Sequence, residues 1–365
     1  MPSLRLVHKN ADDLCAGRGL LSHGNGYKLK QSIRGSQLEF KPQNASIWDM
    51  KADTHQILLF YKYVHIVDPE AVMRWQKELC AELGLKGRVI VAQEGINVTL
   101  EGSKEHTEKY ITELEKDPRF LNIHFKRSTG NGASFPKLSV KVRPEIVSLR
   151  LGVCDVDPNQ VTGVHLKPEE LHEWFTPSTP EGIHSKKEFY IVDMRNAYEH
   201  RVGHFAGSIL PPMDNFRDLP KVIEQIAHLK DKTVLTVCTG GVRCEKASGF
   251  LITQGFTDVY QLDGGIVSYM EKYPNEDFKG KLYVFDDRVA MGFYTDDPKH
   301  EVVGRCELCD VSCERYINCA NNQCHRHFIA CESCAEKNGG DVLCPKGCMR
   351  DRNGLPIGFA KQAQI

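Results

Sequence analysis

The stretch Thr233-Val-Leu-Thr-Val-Cys238-Thr-Gly-Gly-Val-Arg243-Cys244-Glu-Lys-Ala-Ser decides how the middle of this chain folds. Its first five residues are β-branched or apolar, which predicts a short buried strand, and the residues from Glu245 onward are typical of a helix. A cysteine at the end of such a strand, followed by Gly-Gly and a helix start, can be surrounded by backbone N–H groups. Those donors and the helix dipole favour the thiolate, so we predict that Cys238 is a nucleophile.

The loop that follows Cys238 is short. The predicted active-site loop contains Thr239, Gly240, Gly241, Val242, Arg243 and Cys244. Four residues separate the cysteine from the arginine, whereas tyrosine-phosphatase-like loops have five and close around a phosphate. The shorter ring suits a sulfur atom, as in a persulfide, and disfavours phosphatase chemistry. Cys244 has two interpretations: it resolves an oxidised or persulfidated Cys238, or it is a small buried residue at the helix start.

The composition is that of an ordinary globular protein without a strong charge bias. Hydrophobic residues make up 41% and charged residues 26% of the 365 residues, and the formal net charge is -1. Binding of nucleic acid would therefore depend on local basic patches. No apolar run approaches the roughly 20 residues that span a bilayer, and charged residues interrupt the N-terminus where a signal peptide would lie. These features predict a cytoplasmic protein whose 14 cysteines are reduced, catalytic or metal-bound.

The periodicity of the chain divides it into several units. Residues 1–54 show weak periodicity, and we interpret them as a poorly ordered extension. Residues 55–148 have the order strand, helix, strand, strand, helix, strand, which predicts an α+β ferredoxin-like (acylphosphatase-like) domain. Residues 144–165 are interpreted as a linker, and residues 281–304 as a bridge to a cysteine-rich tail. Residues 165–276 alternate helices with short buried strands, which predicts an α/β domain with a parallel sheet and helices on both faces.

The tail, residues 300–352, carries nine cysteines, of which eight form four close pairs. The pairs are Cys306 and Cys309, Cys319 and Cys324, Cys331 and Cys334, and Cys344 and Cys348. Four pairs of thiolates suit two tetrahedral, structural zinc sites. An interleaved arrangement would place the first and third pairs on one ion, and the second and fourth on the other. Disulfides are the alternative, and Cys313, His325 and His327 are spare ligands that leave the assignment open.

Three motifs resemble the rhodanese family. Asp193-Met-Arg195-Asn-Ala-Tyr-Glu199 and Gly203-His204-Phe-Ala-Gly207 match the first conserved segment of that family, and Leu262-Asp-Gly-Gly-Ile266 matches its closing turn. The resemblance implies a rhodanese-like domain in which Cys238 is the persulfide-forming or redox-active thiol. We interpret Asp193 and Arg195 as an ion pair that supports the loop, not as chemical participants.

A longer set of strings is similar to the bacterial tRNA uridine hydroxylase family. The strings are Val237-Cys-Thr-Gly-Gly-Val-Arg-Cys-Glu-Lys-Ala-Ser248, Val91-Ala-Gln-Glu-Gly-Ile-Asn97 and Lys137-Leu-Ser-Val-Lys-Val-Arg143. The resemblance implies an oxidoreductase of the monooxygenase class that forms 5-hydroxyuridine at the anticodon wobble position of tRNA. It also implies molecular oxygen as co-substrate and Cys238 as the essential thiol. The chain shows no dinucleotide fingerprint, and no organic cofactor is evident in it. No clear iron-binding triad can be picked out either.

Candidate phosphate contacts cluster in two places along the chain. They are Lys126, Arg127, Lys137, Lys141 and Arg143 in the first domain, and Arg315, Arg326, Lys346, Arg350 and Arg352 in the tail. A flipped uridine would have to reach Cys238 through a cleft between the domains. Two other functions stay open. One is a sulfurtransferase that carries a persulfide on Cys238, and the other is a noncatalytic scaffold that binds partners through its rhodanese-like and zinc modules.

Overall fold

The computed structural model describes residues 55–152, 155–176, 188–321, 323–324, 326–337, 339–345, 348–350 and 356–359. The predicted extension, residues 1–54, lies outside the described residues. Among the helices of the described part, none is both long enough and apolar enough to cross a membrane.

The first domain is a five-stranded sheet with two helices. Its elements are β1 (His55–Tyr63), α1 (Pro69–Glu82), β2 (Lys86–Ala92), β3 (Gly95–Ser103), α2 (Lys104–Leu114), β4 (Lys126–Gly130) and β5 (Leu138–Val142). The strand order is β4-β1-β3-β2-β5. All neighbours are antiparallel except β2 and β5, which run parallel. This is the predicted ferredoxin-like order, with β5 added at one edge.

Local signals fix the start of both helices. Pro69 opens α1, and the Asp68 carboxylate accepts a hydrogen bond from the Ala71 N–H at 2.9 Å. Ser103 caps α2, since its hydroxyl oxygen accepts a hydrogen bond from the His106 N–H at 3.2 Å. Both caps satisfy N–H groups that have no partner within the helix.

The alternation of side chains along β1 gives the sheet two different faces. Leu58 and Phe60 point into the core between the sheet and its helices. Ile57, Leu59 and Tyr61 point the other way and line a cleft. The second face of this sheet therefore meets the rest of the protein, and this is where the candidate site lies.

The second domain contains a four-stranded parallel sheet. Its elements are β6 (Val164–Leu166), α3 (Pro168–Phe175), β7 (Tyr190–Asp193), α4 (Ala197–His200), β8 (Gly203–Phe205), α5 (Leu219–Val222), β9 (Thr233–Val237), α6 (Val242–Thr253), β10 (Asp258–Leu262) and α7 (Gly265–Lys272). The strand order is β6-β10-β9-β7, and all neighbours are parallel. α6 packs on one face of the sheet, whereas α3 and α7 pack on the other. The predicted fold class is confirmed.

Some boundaries differ from the sequence-based expectation. β6 spans the predicted boundary between the linker and the second domain. It has three residues, of which only Leu166 is buried, and it is a strand because β10 pairs with it. α6 begins at Val242, three residues earlier than expected, because the preceding glycine turns the chain sharply. Residues 223–229 form a 3-10 helix after the short α5.

The segment after α7 is more than a bridge. The remaining elements are β11 (Phe278–Gly280), β12 (Leu282–Tyr283), β13 (Ala290–Met291), β14 (Tyr316–Asn318), β15 (His327–Ile329), α8 (Glu332–Lys337), β16 (Cys348–Arg350) and β17 (Pro356–Phe359). β12 and β13 form a hairpin that reaches back to the first domain. Its Arg288 donates to the Ser128 hydroxyl at 3.3 Å, and the Asp287 N–H donates to the Ser134 carbonyl at 3.0 Å.

Candidate active site and cysteine clusters

The predicted loop connects the end of β9 to the start of α6. Gly241 has a φ of +99°, which L side chains rarely adopt, and a Cβ there would lie 3.0 Å from the Tyr61 hydroxyl. Glycine at this position lets the chain turn from strand to helix while the first domain packs closely on the loop. The Gly241 N–H donates a hydrogen bond to the Cys238 sulfur at 3.2 Å.

The Cys238 side chain is fully buried, yet its pKa is lowered to about 6. Burial alone would raise this pKa. The Cys244 thiol, the Arg243 charge and the backbone N–H groups of both residues favour the thiolate and outweigh the effect of burial. Burial and the hydrogen bond to Cys238 raise the pKa of Cys244 well above its ordinary value. The loop therefore holds one thiolate and, beside it, one thiol that donates to it.

Arg243 is held by a carboxylate that the sequence analysis did not include among the site residues. Its guanidinium makes two hydrogen bonds with Glu199, at 2.6 and 2.8 Å, and a third with the Thr239 hydroxyl at 3.2 Å. Glu199 is fully buried on α4. Burial would lower the pKa of Arg243, but the Glu199 carboxylate outweighs it and raises the pKa. The glutamate of the rhodanese-like motif was the signal for this partner.

Asp193 and Arg195, which we predicted to support the loop, form a buried ion pair close to it. Their charged atoms are 2.6 Å apart, and the Arg195 guanidinium also donates to the Gly203 carbonyl at 2.7 Å. Their link to the loop is indirect, because Asp193 ends β7 and is paired in the sheet with Val237 of β9. The ion pair therefore fixes the strand ends one residue before Cys238.

Two tyrosines of β1 join the first domain to α6. The Tyr61 hydroxyl donates to the Glu245 carboxylate at 2.9 Å, and the Tyr63 hydroxyl donates to the Val242 carbonyl at 3.2 Å. His165 contacts the same Glu245 carboxylate at 3.0 Å. Burial, followed by the Glu245 charge, raises the pKa of Tyr61, so its phenol stays a neutral donor. These contacts hold the helix that follows the loop against the first domain.

A cleft of about 450 Å³ lies between the two domains and contains Cys238 in its lining. Ile57, Leu59 and Tyr61 of β1 form one wall, and the cysteine loop forms another. The hairpin after α7 contributes a third wall, which includes Phe285, an aromatic side chain that is 44% exposed. A cleft of this volume accommodates a ligand of the size of a nucleoside. The hairpin wall was not foreseen from the sequence, which indicated only a bridge there.

Positive charge dominates the lining of the cleft. The basic residues are Arg88, Lys126, Arg127, Arg143, Arg150, Arg217, Arg243 and Arg288, and the acidic ones are Glu145, Glu271 and Asp286. Arg127 and Arg288 pair with carboxylates. Arg88, Arg143, Arg150 and Arg217 are exposed, and none of the described carboxylates forms an ion pair with them. Four guanidinium groups at the cleft are thus available to bind anions.

The basic residues that we predicted to contact RNA lie in different environments in the structure. Lys126, Arg127 and Arg143 line the cleft, but Lys126 is buried and is no surface contact for a phosphate. In the tail, Arg326 is committed to an ion pair with Glu307 at 2.6 Å. Lys346, Arg352 and the side chain of Arg350 lie outside the described residues.

Eight of the nine tail cysteines form two groups of four sulfur atoms, each group within 4.8 Å. One group contains Cys306, Cys309, Cys331 and Cys334, and the other contains Cys319, Cys324, Cys344 and Cys348. These groups correspond to the interleaved arrangement that the sequence left open as a possibility. Among the spare ligands, Cys313 and His327 belong to neither group, and His325 lies outside the described residues.

The geometry of both groups fits a tetrahedral metal ion. The Cys309 and Cys331 sulfurs are 3.6 Å apart, as are those of Cys324 and Cys344. A zinc ion with Zn–S bonds of about 2.3 Å separates its ligands by about 3.8 Å. Backbone N–H groups of Cys331 and Cys344 donate to the Cys306 and Cys319 sulfurs at 3.4 and 3.3 Å, which orients these two thiolates.

Comparison with known families divides the chain at positions similar to the domain boundaries of the structure. Residues 55–146 match the UPF0176 acylphosphatase like domain, residues 179–272 match the Rhodanese-like domain, and residues 279–349 match the family described as Rhodanase C-terminal. The β1 wall of the cleft lies in the acylphosphatase like domain, and the cysteine loop lies in the Rhodanese-like domain.

Three relatives that match most of this chain share one name. The chain is 43% identical over 294 residues to the tRNA uridine(34) hydroxylase of Cytophaga hutchinsonii, which covers 80% of this chain and 89% of that protein. It is 42% identical over 300 residues to the one from Bacillus licheniformis, covering 81% and 88%. The one from Onion yellows phytoplasma is 44% identical over 280 residues, covering 76% and 87%.

Proposed function

The chain belongs to the tRNA uridine(34) hydroxylase family, and we propose that it hydroxylates the wobble uridine of tRNA to 5-hydroxyuridine with Cys238 as the essential thiol. The observation that carries this proposal is the position of Cys238, a thiol with a pKa of about 6 on the wall of a basic cleft between two domains. At neutral pH such a thiol is mostly ionised, and the thiolate is the nucleophilic form.

The cleft supports a flipped uridine as the ligand. Enzymes that modify a base bring it out of the stack into a pocket, and the cleft has room for one nucleoside. The exposed guanidinium groups of Arg88, Arg143, Arg150 and Arg217 are suited to the phosphates on either side of that nucleotide. Phe285 offers a partly exposed ring on which a neighbouring base can stack.

Oxygen and zinc have different roles in this proposal. Hydroxylation uses molecular oxygen, which enters as a co-substrate. We assign one structural zinc ion to each group of four tail sulfurs, because four thiolates fill a tetrahedral shell and leave no position for substrate. Zinc would supply stability to a segment in which half of the buried cluster consists of cysteines. The expected cytoplasmic location stays a prediction.

Mass spectrometry of tRNA nucleosides tests the function. The wild-type chain, expressed in cells that lack their own wobble hydroxylation, should restore 5-hydroxyuridine and its derivatives. Cys238→Ala should abolish the product, whereas Cys80→Ala, which removes a buried thiol outside the cleft, should not. Absence of the product with the wild-type chain would reject the proposal. A gain of thiolated uridine in its place would favour the sulfurtransferase, for which a persulfide on Cys238 is the carrier.

A further inference from the structure

Lys126 is a buried lysine where the first domain meets the cysteine loop. It begins β4 and is paired in the sheet with Leu59 of β1. Leu59 packs against the loop, since a Cβ at Gly240 would lie 3.1 Å from its side chain. Lys126 is 7% exposed, and its ammonium nitrogen lies 5.4 Å from the centre of the Tyr61 ring. The sheet register therefore places Lys126 on the wall of the cleft that also contains Cys238.

Within the described part of the chain, this ammonium group has no hydrogen bond or ion pair. The titratable groups that face it are Cys238 in the loop, Glu245 on α6, Asp263 before α7, Glu271 on α7 and His124 before β4. Burial outweighs the attraction of the acids and lowers the pKa of Lys126 to about 8. Its nitrogen is not among the described side-chain atoms that are fully buried without a partner, so its three N–H donors face the cleft. A lysine kept in this position has its donors free for a ligand in the cleft.

We propose that Lys126 is a catalytic residue that donates a hydrogen bond to O4 of the flipped uridine and stabilises negative charge on that oxygen when the Cys238 thiolate adds to C6. The proposal rests on the proposed function, because it takes uridine as the ligand. In this step a bond forms between sulfur and C6, the π electrons of the C5–C6 bond move through C4 to O4, and no group leaves. C5, the carbon that receives the hydroxyl, becomes electron-rich.

The depth of Lys126 favours the base over the phosphate backbone as its partner. Phosphates stay at the surface of a cleft, where the exposed Arg88, Arg143 and Arg217 are available to them. A flipped base enters the pocket and carries only neutral carbonyl and N–H groups. A compact point charge at the wall stabilises an oxyanion that develops there, in the way that fixed donors do in other active sites.

RNA that contains 5-fluorouridine at the target position tests the step without the oxidation. In the absence of oxygen, the wild-type protein should form a covalent adduct with an anticodon stem-loop, seen on a denaturing gel and located at Cys238 by peptide mass spectrometry. Lys126→Met should form this adduct about 100-fold more slowly at saturating RNA, which is the usual cost of losing one oxyanion donor. The matched control is Lys109→Met on α2, whose ammonium is exposed and pairs with Glu82 at 3.9 Å. It should react at the wild-type rate.

The pH dependence of adduct formation separates a charged role from a structural one. The wild-type rate should rise as the pH passes about 6, where Cys238 ionises, and fall above about 8, where Lys126 loses its proton. Lys126→Arg keeps its charge at all these pH values and should lose the fall near pH 8. Lys126→Met should melt no earlier than the wild type, because it replaces an unpaired buried charge with an apolar side chain.

Adduct formation by Lys126→Met at the wild-type rate would overturn the proposal, and so would a wild-type protein that forms no adduct. Hydroxylation of unmodified tRNA by the wild type is measured in parallel. If 5-hydroxyuridine forms there without an adduct, the thiolate step and the role of Lys126 fail while the proposed function stands. If no 5-hydroxyuridine forms, the proposed function itself fails.

Discussion

The loop around Cys238 and the tail use the same side chain in two different environments. In the loop, a single sulfur accepts a hydrogen bond from the Gly241 N–H and lies on the wall of an open cleft. In the tail, four sulfurs converge in each group, so a tetrahedral ion bound there has no position left for a substrate. Burial alone does not identify the reactive sulfur, since Cys306 of the tail is 2% exposed and Cys238 is 0% exposed.

The neighbours of a cysteine therefore decide its chemistry in this chain. Cys238 is surrounded by N–H donors and a guanidinium, which stabilise one negative charge. A tail sulfur is surrounded by other sulfurs, whose negative charges repel one another unless a cation lies between them. The first arrangement predicts a reactive thiolate and the second a structural metal ligand. Variants of single cysteines test each half of this comparison.

Removal of one tail ligand should have the largest effect on structure. Cys306→Ser replaces one thiolate of a four-sulfur group with a hydroxyl, which zinc binds poorly, so we expect the variant to lose one of two bound zinc ions and to unfold in the tail. Cys313→Ser is the matched control, because Cys313 is close to the same group but outside it. Metal analysis in reducing buffer and limited proteolysis of the tail measure the two effects. Two zinc ions in both variants would contradict the assignment of ligands.

The parts of the site that sequence predicts are the local ones. The strand, the glycine turn and the helix around Cys238 are encoded in consecutive residues, and so is the spacing of the tail cysteines. Glu199 is 44 residues from Arg243 along the chain, and no local pattern pairs the two. Lys126 looks like part of a surface patch with Arg127, and only the pairing of β4 with β1 places its side chain inside the cleft.

Dependence on distant parts of the chain also explains why some elements of the fold differ from the sequence-based expectation. β6 is too short to show alternation and depends on β10 for its hydrogen bonds. The hairpin at β12 and β13 has two residues in each strand, so its sequence predicts only a connecting segment. It becomes a wall of the cleft because Arg288 and Asp287 reach the first domain. These elements depend on contacts between distant segments, which the periodicity of the sequence does not show.

Removal of the Cys244 thiol should have an intermediate effect, and this effect should be on the reactivity of Cys238. Cys244→Ala deletes a hydrogen bond to the Cys238 thiolate, so the pKa of Cys238 should rise from about 6 by roughly one unit. At pH 6 the thiolate fraction, and with it the rate of alkylation, would fall about fivefold, and at pH 7 only about twofold. Cys244→Ser keeps a donor and should stay close to the wild type. The measurement is the pH dependence of iodoacetamide labelling at Cys238.

The role of Cys244 is decided by the same variants. If it only donates to Cys238, Cys244→Ala should still hydroxylate tRNA at pH 8, where the thiolate is restored. If Cys244 resolves an oxidised or persulfidated Cys238, both variants should be inactive at every pH, because neither serine nor alanine can form a disulfide. An unchanged labelling midpoint in Cys244→Ala would show instead that the backbone and Arg243 suffice to ionise Cys238.

Cys80 extends the comparison to a third environment, and its variants should have the smallest effect. It lies on α1 in the apolar core of the first domain, is 0% exposed like Cys238, and has a pKa raised to about 12 by burial alone. Cys80→Ala removes one buried sulfur, so the free energy of unfolding should fall by about 1 kcal/mol, with no change in hydroxylation or bound zinc. Iodoacetamide should label Cys80 only after unfolding.

The pH dependence of that small loss follows from the raised pKa. The folded state keeps Cys80 protonated up to about pH 12, whereas the unfolded chain releases the proton near pH 9. Stability from the buried thiol is therefore fully present below pH 9 and is lost as the pH rises toward 12. The difference in unfolding free energy between the wild type and Cys80→Ala should shrink between pH 8 and pH 10 in urea titrations. A difference that grows over this interval would mean that Cys80 is ionised in the folded state, and Cys80 would then no longer be an inert cysteine that is as buried as Cys238.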